Sequence, residues 1–363
     1  MQWLNSCLAS AGHACAATVE RVNSRDTGWG EDVRLHVVTG KGGTGKTTVA
    51  AALALALAAQ GQRTLLIEVE GRQGIAQLFD CPPLPYEERK VANARGGGEV
   101  YALAVDPEEA LLDYLEMFYS LRRAGKALTK FGVIDFATTI APGIRDVLLT
   151  GKATEAVRRR ERGQRVYDAV VMDAPPTGRI ARFLNVNEEV AGMARVGPIH
   201  HHAEKVMGVI RSPETAVHLV TLLEEMPVQE TIDGVAELRE LSIPVGGVIV
   251  NMSHPSPLDA PALQAAQNGH VDVDELTVGL KAAGIEPGND VVPALVHELT
   301  EHAERVEMEQ REEAELAQLR QPRYTLPMLA DGVDLGGLYA LADRLAEQGE
   351  QDEQGEQDEQ ENT

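Results

Sequence analysis

Apolar residues arrive along this chain in short unbroken bursts, not in alternation. LHVVT (35–39), TLLIEV (64–69), VYALAV (100–105), YDAVVMD (167–173), AVHLVTL (216–222) and VGGVIVN (245–251) read as buried strands. Continuous apolarity is what a parallel sheet covered on both faces requires. Between the bursts the period lengthens. In PVQETIDGVAELREL the apolar Val228, Ile232, Val235 and Leu238 recur at helical spacing. A charged, apolar-striped segment from about 293 to 319 predicts a long late helix. Strands alternating with helices from residue 33 onward predict an α/β fold with a doubly wound, mostly parallel sheet.

Two connections, 106–166 and 174–215, are too long for simple crossovers and contain helical patterns such as EALLDYLEMFYSLRRA. Together they predict an inserted helical subdomain over one edge of the sheet, either as extra packing helices or as a docking surface for a client. The stretch EMFYSLRRAGKALTKFGVIDF, mixed apolar and basic, suits core packing or a groove for an apolar helix. Residues 1–32 lack the basic start and long apolar core of a secretory signal and are expected to be a disordered extension. At the other end EQGEQD repeats at 347–352 and 353–358, with no basic residue after Arg344. The segment 346–363 is therefore expected to be an acidic, disordered tail.

The balance of 33 basic against 56 acidic side chains, a formal charge of −23, argues against a nucleic-acid surface, which requires a basic patch. It also disfavours attraction to anionic lipid. The longest aliphatic run, VAAALALALAA at 49–59, is half the roughly 20 residues of a membrane span, so it predicts a buried helix and no direct membrane insertion. Cys7, Cys15 and Cys81 have no CxxC spacing, which fits a reducing, cytoplasmic setting without a zinc site. His200, His201 and His202 are consecutive and point apart on a helix, so they do not converge on an ion.

The candidate chemistry lies in TGKGGTGKTT at 39–48. Gly40, Gly45, Lys46 and Thr47 satisfy G-x-x-x-x-G-K-[ST], directly after a predicted strand and at a helix start. Small residues let backbone N–H groups curl around phosphate oxygens, and the helix N-terminus adds positive potential. The pattern makes Gly42, Gly43, Thr44, Gly45, Lys46, Thr47 and Thr48 the candidate ATP contacts, with Lys46 on the β- and γ-phosphates and Thr47 on magnesium.

A second lysine, Lys41, gives the form K-G-G-x-G-K-[ST]-T, which resembles the deviant phosphate loop of a dimerising NTPase class. The resemblance implies that Lys41 crosses a dimer interface to the partner subunit's nucleotide, where a cation stabilises the transferring phosphoryl group. From about Val33 to Leu345 the chain is most similar to the arsenite-transport (ArsA) and guided-entry ATPase family, as a single-loop member. VVMDAPPTGRIARFL matches that family's second switch. On this resemblance Asp173 holds magnesium through water, and Pro176, Thr177 and Gly178 report the γ-phosphate. The stretch ending in Asn251 is similar to the family's adenine-contacting segment, and LPMLADGVDLGGLYAL to its adenosine loop, placing Leu326 and Pro327 near the base.

Four departures accompany the likeness. TLLIEVEGRQGIAQLF puts Glu70 where the family has the aspartate that positions the attacking water, so a lower rate is expected. MSHPSPLDA after Asn251 lacks the CxxC of the targeting members' dimer zinc. The cysteines are not placed for metalloid binding. One phosphate loop, where arsenite-pump ATPases carry two, requires a second chain: a homodimer, or a heterodimer with a related ATPase.

The function implied is that of a magnesium-dependent ATPase closing around ATP to handle or deliver a membrane-protein client or transporter partner. The alternatives are a subunit energising a membrane anion pump, or a weakly hydrolysing regulatory subunit. A positioning ATPase has less support, since no C-terminal amphipathic membrane helix or basic DNA surface is expected from the sequence.

Overall fold

The computed structural model of the chain describes residues 29, 32–59, 61–112, 142–193, 198–254, 256, 258–288 and 290–361. The strands of its main sheet are β1 (Leu35–Gly40), β2 (Arg63–Glu68), β3 (Arg89–Asn93), β4 (Glu99–Ala104), β7 (Ala169–Asp173), β8 (Thr215–Thr221), β9 (Val245–Ser253) and β10 (Arg323–Pro327). A separate small hairpin pairs β5 (Arg160–Glu161) with β6 (Gln164–Arg165). The helices with defined ends are α1 (Lys46–Ala58), α2 (Gly74–Leu78), α3 (Pro142–Arg158), α4 (Thr177–Met193), α5 (Pro198–Ile210), α6 (Glu225–Glu240), α7 (Ala260–Gln267), α8 (Val273–Ala282), α9 (Val291–Leu316) and α10 (Leu335–Glu361).

The sheet runs in the order β10-β9-β8-β1-β7-β2-β4-β3. Every pairing is parallel except that of β3 with β4. All of β1 is buried, and it lies between β7 and β8, with Val38 opposite Asp173 on one side and His218 on the other. The chain leaves β1 toward β2 on one flank, whereas β8, β9 and β10 build the other. The crevice at the carboxyl end of β1 is therefore a topological switch point.

Side chains alternate between two cores, as the strand period demands. Val38, Leu66, Val171, Val220 and Ile249 face α1 and α10. Leu35, Val37, Ile67, Val170, Met172 and Leu219 face α3, α4, α5 and α6 through Leu149, Ala153, Phe183, Leu184, Val206 and Leu238. The aliphatic run of α1 is apolar all round because it is covered on both sides: Val49, Leu53, Leu55 and the alanines between them are buried. No helix among the described residues is long and apolar enough to cross a membrane.

The expected α/β architecture is present, and the differences are instructive. The described part of the two long connections forms α3, α4 and α5, which share one core with the sheet and so make up most of that face's covering layer. The segment 113–141, with the whole stretch EMFYSLRRAGKALTKFGVIDF, lies outside the described residues. Strand β3 carries the mostly polar RKVAN, which an antiparallel edge tolerates and a search for apolar bursts passes over. Strand β10 alternates, with Tyr324 and Leu326 buried and Arg323 and Thr325 exposed.

The acidic segment from 346 continues α10 as helix to Glu361, where a tail was expected. Glutamate and glutamine are good helix formers. The Gln348 amide also clips this helix to the edge of the sheet, accepting from Thr325 N at 2.8 Å and donating to Thr325 O at 3.1 Å. Of the expected N-terminal extension, Trp29 is docked: it stacks on Tyr324 at 4.3 Å between ring centroids, and its indole N–H donates to Leu345 O. Residues 1–28, 30 and 31 lie outside the described residues.

Two histidines are sealed in the middle of this assembly. His218 Nδ1 accepts the Gly247 N–H at 3.1 Å, so its proton sits on Nε2 and is donated to His36 Nδ1, also at 3.1 Å. Both rings have no exposed surface. Burial, with the Arg34 charge adding to it and a backbone hydrogen bond at Val33 opposing it, pushes His36 down to about 3, and burial beside His36 leaves His218 well below its ordinary value. The native pair is neutral, whereas the unfolded chain takes up protons below about 6.5. Stability is therefore fully present above that pH and is lost as pH falls toward the folded values. Between pH 7.5 and 5 the expected loss from His36 is about 2 kcal/mol. His36→Asn keeps an acceptor for His218 without titrating there. Urea midpoints at those two pH values should differ less in the variant than in the wild type.

Candidate functional site

The loop between β1 and α1 is shaped by contacts that leave no room for side chains. A Cβ on Gly40 would lie 2.2 Å from Val220 O, so the end of β8 runs directly against it. Gly45 has φ 83°, in the left-handed region, and a Cβ there would lie 2.4 Å from Asn251 Nδ2. Two hydrogen bonds close the loop. Thr44 Oγ1 donates to Lys41 O at 2.9 Å, and Asn251 Nδ2 donates to Thr44 O at 2.9 Å. Helix α1 then starts at Lys46 without a side-chain cap. Uncapped N–H groups and the helix dipole make this end an anion site. Gly42 and Gly43 are exposed, and Lys46, Thr47 and Thr48 are half-buried at its mouth.

Below the loop, Thr47 Oγ1 donates to Asp173 Oδ2 at 2.7 Å. Asp173 is 6% exposed, and its other oxygen, Oδ1, is buried without a partner. Burial first, then the charges of Glu68 and Glu70, push its carboxyl up to about 6, against the Thr47 hydrogen bond and the Lys46 charge. An orphaned carboxylate oxygen beside a threonine hydroxyl, in a field of further acids, fits a hard divalent cation that carries water and phosphate ligands. Thr47 and Asp173 are the residues that would hold magnesium.

The neighbouring turn is tied to the same site. Thr39 Oγ1 donates to Pro175 O at 2.7 Å, so β1 holds the segment that leads out of β7. Pro176 is half-buried, Gly178 exposed, and Thr177 buried as the first residue of α4. The Thr177 hydroxyl donates to Glu230 Oε2 at 3.3 Å. Glu230 also pairs with Lys41, Nζ to Oε1 at 3.1 Å.

Other expected site residues are placed less simply. Glu70 is half-buried after β2 and pairs with Arg72 at 3.5 Å. Asn251, expected near adenine, has its amide committed to the phosphate loop. Leu326 is fully buried in the core that contains α1, whereas Pro327 is half-buried at the end of β10, opposite Ser253.

Two acids belong to the site that sequence reasoning missed. Glu68, 2% exposed, accepts from Gln73 N and, at 3.4 Å, from Ile75 N, so it fixes the turn that carries Glu70 and Arg72. Its signal was available: an acid inside the otherwise apolar TLLIEV has to be buried with partners. Glu230 had no such signal, since one more acid on an amphipathic helix is unremarkable. Among the described residues no cluster of three or more histidine, cysteine or acidic side chains has the geometry to hold a metal on its own. His200 Nδ1 instead meets Ala191 O.

The profile of the anion-transporting ATPase family matches residues 33–213. ATPase BagA of Mycobacterium tuberculosis is 54% identical over 318 residues, 87% of this chain and 94% of that protein. ATPase GET3 of Kluyveromyces lactis is 26% identical over 249 residues, 59% of this chain and 70% of its own length. A putative arsenical pump-driving ATPase of Prosthecochloris vibrioformis is 29% identical over 175 residues, 47% of this chain and 40% of its own.

The contact at Gly45 gives a direct test of the loop. Gly45→Ala combines a left-handed backbone, costing roughly 1–2 kcal/mol in an L-residue, with a collision on the Asn251 amide. Affinity for a fluorescent ATP analogue should fall by at least an order of magnitude. The melting temperature should fall only by the few degrees that such a cost implies.

Proposed function

The chain belongs to the anion-transporting ATPase family, and we propose that it is a magnesium-dependent ATPase of the cytoplasm whose two copies close around ATP. The observation that carries this reading is the Thr47–Asp173 pair beneath an uncapped helix start, with Asp173 Oδ1 unpartnered.

In this reading the α1 N-terminus and Lys46 hold the β- and γ-phosphates. Thr47 directly and Asp173 through water would hold the magnesium, which would neutralise charge on the phosphates. Asn251 and Pro327 border the adenosine, and Leu326 backs them from the core. Glu70 orients the attacking water and accepts its proton. Lys41 crosses to the partner's nucleotide and stabilises charge on the transferring group. Thr177, between Pro176 and Gly178, senses the γ-phosphate and passes its loss to α4. Hydrolysis then changes what the helical layer holds, either a membrane-protein client or a transporter partner. The name of the arsenical pump-driving relative supports work on a transporter partner.

A second reading is favoured by one observation. Glu70 Oε2 is paired with Arg72 at 3.5 Å, a contact that competes with an attacking water for that oxygen. In that case the chain is a weakly hydrolysing regulatory subunit paired with a related ATPase.

Steady-state phosphate release in magnesium and ATP, followed across protein concentration, separates the two. A self-sufficient homodimer gives specific activity that rises with concentration. A regulatory subunit binds ATP and gives flat, near-zero release. In the homodimer Glu70→Gln should lower turnover on the order of 10²-fold, with affinity for a non-hydrolysable ATP analogue unchanged. Equal turnover in both proteins would remove Glu70 from the chemistry.

A further inference from the structure

Lys41 is not free to cross an interface in this structure. Its ammonium is held by Glu230 of its own chain, with the two side chains only 29% and 34% exposed. The other oxygen of that carboxylate takes the hydroxyl of Thr177, the buried first residue of α4. The fit between α6 and this turn is close. One helical turn after Glu230, a Cβ on Gly234 would lie 3.1 Å from both Thr177 Cγ2 and Leu219 Cδ2. A single carboxylate therefore binds the two groups that the ATPase reading assigns to phosphate: a lysine for the partner's nucleotide and a threonine for the chain's own γ-phosphate.

We infer that Glu230 is a positioning residue that latches both groups in the monomer, so that two copies close only around ATP. The inference rests on the dimeric ATPase reading above. Without a γ-phosphate, Glu230 is the better partner. It neutralises Lys41 and keeps the Thr177 turn docked on α6. A γ-phosphate brings added negative charge to the far side of each group and competes for it. Closure then requires both copies to release their lysines. A half-exposed ion pair resists separation by a factor of about three to five. Two copies releasing together therefore set closure back by roughly tenfold.

The latch predicts an unusual direction for a loss of charge at a functional site: removing it tightens the dimer. Sedimentation velocity of the full chain, titrated in protein concentration with magnesium and a non-hydrolysable ATP analogue, reads this without any turnover. The wild type should dimerise with the analogue and remain monomeric with ADP. Glu230→Gln should lower the midpoint for dimerisation roughly tenfold and yield measurable dimer with ADP. Glu230→Asp, which withdraws the charge by one methylene, should shift the midpoint the same way by less, and it serves if the amide variant is unstable. A midpoint that is unchanged or raised in these variants overturns the latch while leaving the dimeric ATPase intact. A wild type that stays monomeric with the analogue overturns the dimeric reading, and the latch with it.

Discussion

A backbone that leaves a fully buried central strand at Gly40 and enters a helix buried from Val49 onward must pair those polar groups that the fold shields from solvent. The surrounding site depends on how this is done. Each such group left unpaired would cost about 1–3 kcal/mol. The loop avoids this with Thr44, which bonds back to Lys41, and with Asn251, which reaches in from the end of β9. Asn251 can reach because the intervening strand, β8, sits close: its Val220 carbonyl occupies the space a side chain at residue 40 would fill. The small residues of the loop thus allow β8 and β9 to clamp it. The helix N-terminus is left as the part of the turn with donors to spare, and the anion site follows from this closure.

Charge then decides what the site accepts. The charges of Glu68 and Glu70 act on Asp173 beside Thr47, opposed by the charge of Lys46. Glu68 resolves its own burial by taking two backbone N–H groups, so its charge is tolerated and its turn is rigid. Asp173 has only the Thr47 hydroxyl, and its raised pKa measures the stress that remains. A phosphate alone would add to that stress. A cation with its water brings a partner for Asp173 Oδ1 and offsets the phosphate charge at once. Anion and cation are therefore expected to bind as a unit.

The interior strands and the loop were legible in the sequence because each has a local signature: continuous apolarity for β1, β2, β4, β7, β8 and β9, and glycine-lysine spacing for the turn. What failed to show were features whose logic is non-local. Strand β3 is polar because it is an edge, and Tyr324 and Leu326 of β10 alternate at the opposite edge. The acidic repeat reads as a tail until Gln348 is seen gripping Thr325. Glu230 looks like a solvated helix residue until α6 is folded against the switch turn. The buried histidine pair is similar, since His36 and His218 each sit unremarked in an apolar burst. Their pairing exists only because β8 lies beside β1.

In the ATPase cycle proposed above, Thr177 links the site to the helices. Thr177 is both the end of the switch turn and the start of α4. Three residues later Ile180 enters the core, followed by Phe183 and Leu184, all essentially without exposed surface. A helix anchored this densely does not bend when its first residue is displaced. It shifts as a body, because a close-packed core transmits strain instead of absorbing it. The same core contains α3 and α5, so displacement at Thr177 is shared across the covering layer of one sheet face. On the other face, α1 and α10 are packed against the sheet in a separate core. In the proposed ATPase cycle the nucleotide lies between a layer that carries the phosphate loop and a layer that begins at Thr177. Relative motion of those two layers is the motion a change at the γ-phosphate is positioned to drive.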